Sequence, residues 1–141
     1  MAVVHRLDRT AWTRYRSHVF SIRVERVFPA THAVTIRGVD EEPHAHDWRV
    51  RVTLEAASLD EDGLLCDFHD LEQKLDSVLS QFHGVDLNKT APFDELNPSA
   101  ENVAWHLATT LEPGLPAGVG SITVAVTEAP GCEAAFRIEC S

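Results

Sequence analysis

The chain has 141 residues, 44% of them apolar and 24% charged, with a formal net charge of −10. That length suits one domain with a real core and is short for two, and the composition is that of a globular rather than a disordered chain. The acidic balance argues against nucleic acid as a partner, because phosphate contacts need clustered Lys and Arg. No stretch approaches the roughly 18 apolar residues that span a bilayer, so no membrane is expected.

The basic residues gather near the N-terminus (Arg6, Arg9, Arg14, Arg16, Arg23 and Arg26). They read as a solvated surface or as a contact for an anion or another subunit. The opening MAVVHRLDRTAWTRYRSHVF has no apolar run and does not resemble a secretory signal. We therefore expect a cytoplasmic protein with one domain, 1–141, of which 1–17 is an N-terminal extension. Cys66, Cys132 and Cys140 show no CxxC spacing and give neither a disulfide framework nor a zinc ribbon. Cys66, after Leu64-Leu65, reads as a small core residue.

Residues 20–29 begin as a strand, with Phe20, Ile22 and Val24 alternating against Ser21, Arg23 and Glu25. The alternation then slips, because Arg26 falls on the apolar side and Val27 on the polar one. A connection punctuated by Gly38 and Pro43 follows. A second strand starts at His44, with Trp48, Val50, Val52 and Leu54 on one side and Asp47, Arg49, Arg51 and Glu55 on the other. DEDG at 60–63 signals a turn.

Asp67 is placed to N-cap a helix whose stripe is Phe68, Leu71, Leu75, Val78, Leu79 and Phe82, with Gly84 at its stop. After a loop over 86–98, Ser99 opens a second helix carried by Val103, Trp105, His106, Leu107 and Leu111, and Pro113-Gly114 end it. Residues 121–127 and 134–138 form a hairpin about Pro130-Gly131. The order ββααββ predicts an α+β domain with an antiparallel sheet.

His44 and His46 point to the same face if 44–46 is extended, since side chains in a strand repeat every two residues. An antiparallel hairpin across the connection would bring His32, at the end of the first strand, to their side. Three imidazoles leave a fourth tetrahedral position open, the pattern of a catalytic zinc site. Copper, nickel and iron accept the same ligands, and an HxH pair in a histidine-rich chain also occurs without any metal. Asp47 or a backbone carbonyl is expected to orient one of the rings.

The ordered set F-P-A-T-H (28–32), H-A-H (44–46), C-D-F-H-D-L (66–71), L-N (87–88), N-P-S-A-E-N (97–102) and T-E (127–128) resembles the 6-pyruvoyltetrahydropterin synthase family, which includes the 6-carboxytetrahydropterin synthases. The likeness runs from about Phe20 to Phe136. It implies the tunnelling fold: a four-stranded antiparallel sheet with two helices on one face. Three subunits form a barrel there, trimers pair into hexamers, and active sites lie between subunits. An open sheet has two edges to satisfy, which favours such an assembly on physical grounds. By the same resemblance, His32, His44 and His46 are the ligands of a Zn2+ ion. Glu128 anchors the pterin ring, and Ser99 and Glu101 border its pocket. A carboxylate suits that anchoring role, since it accepts two parallel hydrogen bonds. Ser99 also reads simply as the helix cap, and Glu128 as an exposed hairpin carboxylate.

The chain departs from the family at the proton-transfer groups. Asp40 stands where the synthases have a catalytic cysteine, four residues before His44. His83 and Gly84 replace an Asp-His pair ahead of Asn88. Glu41, three residues before His44, matches the offset of a glutamate in a family branch that lacks the cysteine and cleaves the side chain of dihydroneopterin triphosphate. Glu41 and His83 are thus the expected catalytic groups, with Cys132 a further candidate. Glu41 also reads as part of a solvated acidic run with Asp40 and Glu42, and His83 as a residue suited to a helix C-terminus. The expected function is a zinc-dependent pterin lyase. The alternatives are a pterin- or purine-binding homologue without turnover, and an oligomer whose zinc is structural.

Overall fold

Apolar and polar residues alternate through two long strands, β1 (Phe20–His32) and β4 (His44–Ala56), which pair antiparallel along their whole lengths from Phe20 opposite Ala56 to His32 opposite His44. The structure, a computed structural model, describes residue 8 and residues 10–140. Arg6 and Arg9 of the basic segment lie outside those residues. Arg14 is at the end of a 3-10 turn, Ala11–Arg14, whose Trp12 meets Phe20 edge to face.

The connection between the long strands is not irregular. It folds into a small hairpin, β2 (Thr35–Ile36) and β3 (Val39–Asp40), turned by Arg37 at φ 53° and Gly38 at φ 79°. Positive φ at both central positions is what a tight two-residue hairpin turn requires. After helix α1 (Phe68–Leu79) a two-residue strand, β5 (Val85–Asp86), adds parallel to Ala30 and Thr31. Helix α2 (Ala100–Leu111) leads to the closing hairpin, β6 (Ser121–Ala129) and β7 (Cys132–Glu139). The sheet order is β5-β1-β4-β6-β7. The expected four antiparallel strands are present, and β5 makes the sheet mixed. Both helices cover one face, α1 over β1 and α2 over β6 and β7. This is the α+β architecture read from the sequence.

The core lies between that face and the helices. Trp48, Val50, Val52, Leu54, Ile122, Val124 and Val126 of the sheet meet Leu71, Leu75, Val103, Leu107 and Leu111. Asp67 caps α1 by accepting from the His69 N–H at 2.8 Å, and Ser99 caps α2 by accepting from the Asn102 N–H at 3.2 Å, as expected for both. Cys66 is buried.

Three local expectations need correction. β1 has no slip: Arg26 keeps the alternation and stays on the helix side, where its guanidinium reaches Glu72 at 2.5 Å and Asp76 at 2.8 Å. Those two carboxylates are four residues apart and share one face of α1. A long side chain can thus lie on the inner face while its charge finds partners at the margin. Phe68 is 54% exposed, and the buried line of α1 is Leu71, Leu75 and Leu79. In α2, Trp105 is 40% exposed, and Ala100, Ala104 and Ala108 fill the inner face with Val103 and Leu107, because small residues let the helix approach the sheet closely.

Leu75→Ala should lower unfolding stability by about 2–5 kcal/mol in urea titrations, whereas Phe68→Ser should stay within about 0.5 kcal/mol of wild type. His106 packs edge-on to Phe82 and Phe93, with ring centroids 5.6 and 5.5 Å away, and burial holds its pKa below the ordinary histidine value. The unfolded chain therefore takes up this proton at higher pH than the native one. Its contribution to stability is lost as pH falls through about 6.5 and levels off below the folded pKa. His106→Gln should flatten the fall in urea midpoint between about pH 7.5 and about pH 5.5.

Candidate metal centre

Continuous pairing sets His32 directly opposite His44 and Ala30 opposite His46. Directly opposed residues share a face of the sheet, and so do residues two apart in one strand. All three imidazoles therefore emerge on the helix-facing side, at the end of the sheet. The ring centroids of His32 and His44 are 4.6 Å apart, those of His32 and His46 5.1 Å, and those of His44 and His46 4.6 Å. Trp48 floors the group, edge-on to His32 at 4.7 Å, and its indole N–H donates to the Ala30 carbonyl at 3.2 Å.

Two of the rings have fixed orientations. His32 is fully buried, and its Nδ1 lies 2.7 Å from the carbonyl oxygen of Pro98. Nδ1 of His44 lies 2.8 Å from the carbonyl of Glu42. A carbonyl only accepts, so each Nδ1 carries a proton, and in the neutral tautomer this leaves Nε2 as the free donor atom for a cation. Those two Nε2 atoms nevertheless face each other at 3.0 Å. Nε2 of His46 is buried and makes no well-aligned hydrogen bond among the described residues, although Oε1 of Glu128 is 3.1 Å away. Burial holds the His46 imidazole below its ordinary pKa, against the pull of Glu128 and with the help of His32 and His44. Three imidazoles whose Nε2 atoms converge form a donor set for a cation, and the residues present fit a divalent metal with nitrogen ligands. Backbone carbonyls do the orienting. Asp47 is exposed on the opposite side of β4 and takes no part.

Glu128 completes the cluster. Its Oε1 is 3.0 Å from Nε2 of His32, 3.1 Å from that of His46 and 3.8 Å from that of His44, and the four candidate ligand atoms lie within 4.8 Å of one another. The glutamate sits at a bulge. Pairing of β6 with β7 passes from Thr127–Glu133 to Ala129–Cys132 and leaves Glu128 between them. β4 and β6 pair only from Arg49–Thr127 onward, so their ends separate into a cleft lined by His46, Asp47, Arg49, Thr127, Glu128 and Pro130.

The other expected residues take varied places. Ser99 follows Pro98, whose carbonyl holds His32, and Glu101 is exposed in the first turn of α2. Asp40 accepts from the Thr35 hydroxyl at 2.5 Å on the small hairpin. Glu41 is exposed, and its backbone N–H donates to the Val34 carbonyl at 3.0 Å. His83 is exposed beyond α1, in a depression with Arg26, Phe28, Asp76 and Ser80 that shares no residue with the histidine cluster. Cys132 is exposed in the last turn, opposite Ala129.

Two asparagines of the sequence motifs have a role that spacing did not suggest. Asn88 accepts from the Ala33 N–H at 2.7 Å and donates to the Ala33 carbonyl at 2.8 Å. Asn97 does the same to Thr35, at 2.9 and 3.0 Å. Each side-chain amide therefore grips both backbone groups of one residue, in the segment that follows His32. Asn102 in turn donates to the Asn97 carbonyl at 2.8 Å.

The family model for 6-pyruvoyl tetrahydropterin synthase matches residues 21–139. The chain belongs to that family. Among solved structures, the Plasmodium falciparum 6-pyruvoyl tetrahydropterin synthase superposes with a TM-score of 0.74 at 16% identity, covering 87% of this chain and 99% of that one. The Plasmodium vivax enzyme gives 0.72 at 17% with the same coverage, and the Caenorhabditis elegans synthase 0.69 at 19%, covering 90% and 99%. One P. vivax variant is a catalytic-residue mutant with glutamate changed to alanine. At these identities the likeness establishes the tunnelling fold. No curated protein sequence matches the chain. Among the described residues no helix is long and apolar enough to cross a membrane.

Asn97→Ala should speed amide exchange at Thr35, and Asn88→Ala at Ala33, each lowering stability by about 1–2 kcal/mol through loss of two hydrogen bonds. Hydrogen exchange followed residue by residue would check both.

Proposed function

We propose that the protein is a zinc-dependent lyase acting on a dihydropterin, such as dihydroneopterin triphosphate, in trimers that can pair into hexamers. The observation that carries this reading is the convergence of three imidazole Nε2 atoms beside an open cleft, with the outward nitrogens of His32 and His44 already committed to carbonyls. His32, His44 and His46 would hold the zinc. A bound zinc supplies Lewis acidity toward the hydroxyls of the substrate side chain.

The remaining chemistry falls to this chain's own groups. Cleaving a carbon–carbon bond next to a hydroxyl requires a base to take that hydroxyl proton. Asp40 stands where the resemblance places the synthase thiol, and its carboxylate accepts from the Thr35 hydroxyl. We assign the base to Glu41, held three residues from His44 on the rim, an assignment supported by the catalytic role of a glutamate in the P. vivax relative. Glu128 would bind the ring's N–H and amino group, and Ser99 and Glu101 would border the pocket.

His83 belongs to a different part of the subunit. It stands at the β1 margin, where the next residue, Gly84, donates to the Pro29 carbonyl at 2.7 Å. Among the described residues, β1 is paired on that side at Ala30 and Thr31 alone and β7 has no outer partner, so the sheet offers two long edges for joining subunits. We place His83 at such a seam, as an acid or base for the site of an adjacent subunit.

Zinc-loaded protein incubated with dihydroneopterin triphosphate should yield a 6-hydroxymethyl-dihydropterin detectable by mass spectrometry. The product should disappear with His32→Ala and fall by about 10²–10⁴ with Glu41→Gln, the range for loss of a general base. Unchanged substrate in zinc-loaded wild type would overturn the lyase. Retained pterin binding in that case, lost with Glu128→Ala, would indicate a binding homologue.

A further inference from the structure

We propose that Glu128 is the fourth ligand of the metal in the substrate-free protein, and that it must leave the metal for a pterin ring to be held. The inference rests on the metal and pterin reading above and adds an occupant for the position that three histidines leave open.

Geometry is the first ground. Four ligands at about 2.0–2.1 Å from a tetrahedral ion stand about 3.3 Å from one another. Nε2 of His32 is 3.0 Å from that of His44, and Oε1 of Glu128 is 3.0, 3.1 and 3.8 Å from the three imidazoles. Four of the six edges of such a tetrahedron, with one carboxylate corner, are thus approximated, and all four ligand atoms lie within 4.8 Å of one another.

Hydrogen bonding is the second. Nδ1 of His32 and Nδ1 of His44 are committed to the carbonyls of Pro98 and Glu42, which leaves the Nε2 atom of each ring turned toward Glu128 and toward the other. A cation among them would take the two ring nitrogens and the carboxylate oxygen together as ligands.

Backbone design is the third. The bulge frees Glu128 from a cross-strand partner while Val124 and Val126 hold the preceding positions on the buried face. Strand alternation puts Glu128 on the same inner face as Val124 and Val126, and the register shift leaves its carboxylate there without a directly opposed neighbour on β7.

Ring recognition is incompatible with that placement. The N–H and amino group that a carboxylate would bind lie at the opposite end of the fused rings from the C6 side chain. A substrate with its side chain at the metal therefore presents those donors far from it. One Glu128 rotamer cannot serve both ends. The carboxylate closes the coordination sphere at rest and, on turning into the cleft beside Arg49 and Thr127, opens it for the substrate.

The test uses the full chain loaded with Zn2+ or Co2+ and no substrate. Zinc affinity is measured by chelator competition, and the ligand field by visible absorption of the cobalt form, for wild type, Glu128→Gln and Glu128→Ala. Circular dichroism confirms that each variant is folded. We expect affinity to fall at least about tenfold in Glu128→Ala, the lower end of the loss caused even by groups that only support a ligand. We also expect both variants to change the cobalt spectrum, and dihydroneopterin to change it in wild type. Equal affinity and identical spectra with and without Glu128 would overturn this inference alone. A wild-type chain that binds neither metal would overturn it together with the proposed function.

Discussion

The antiparallel ladder of β1 and β4 is the constraint on which the rest of the molecule depends. It runs unbroken from Phe20–Ala56 to His32–His44, so the register chosen by the apolar residues at one end dictates which residues meet at the other. Val24 opposite Val52 and Phe28 opposite Trp48 need the helix-facing side, and burying them fixes the pairing. A slip of one residue would turn those side chains to water and point His32 away from its partners. The hydrophobic core thus sets the geometry of the polar site, although none of its side chains needs to be a ligand.

Polar groups then refine what the ladder establishes. Pro98, in the loop before α2, supplies the carbonyl that orients His32, and the loop is itself held by Asn97 on Thr35 and Asn102 on Asn97. The helix cap, the amide clamp and the histidine acceptor are consecutive residues, Asn97, Pro98 and Ser99. A short motif therefore anchors a helix and positions a buried ring at once. Backbone carbonyls are suited to orienting such rings because they cannot change protonation state.

The parts legible in the sequence are those governed by periodicity. HAH gives two imidazoles on one face by strand alternation alone, and Asp67 and Ser99 mark helix starts because capping is local chemistry. Arg26 misled because residue polarity was used as a proxy for facing, whereas the strand kept its alternation and α1 supplied the countercharges from Glu72 and Asp76. The clamps of Asn88 and Asn97 were illegible for a different reason. Each acts on backbone 55 or 62 residues away, and no pattern in a single sequence encodes such a separation. Glu128 is legible by its motif and, two residues past Val126, by alternation, but its nearness to the histidines depends on β4 pairing with both β1 and β6, which a single strand's pattern does not reveal.

The small hairpin carries little of the structure, and the physics of its attachment accounts for that. β2 and β3 are exposed and joined to the sheet through backbone grips on Ala33 and Thr35, so their own side chains carry little of the fold's stability. Asp40 is exposed there, and a change at that position has little consequence for packing. The histidines have no such freedom. His32 is fully buried against Trp48 and tied to Pro98, and a change there would disturb the core and the α2 loop together. A chain built this way can exchange the side chains of its small hairpin while the corner that gathers His32, His44 and His46 stays fixed, because the first are anchored only through backbone and the second through the core.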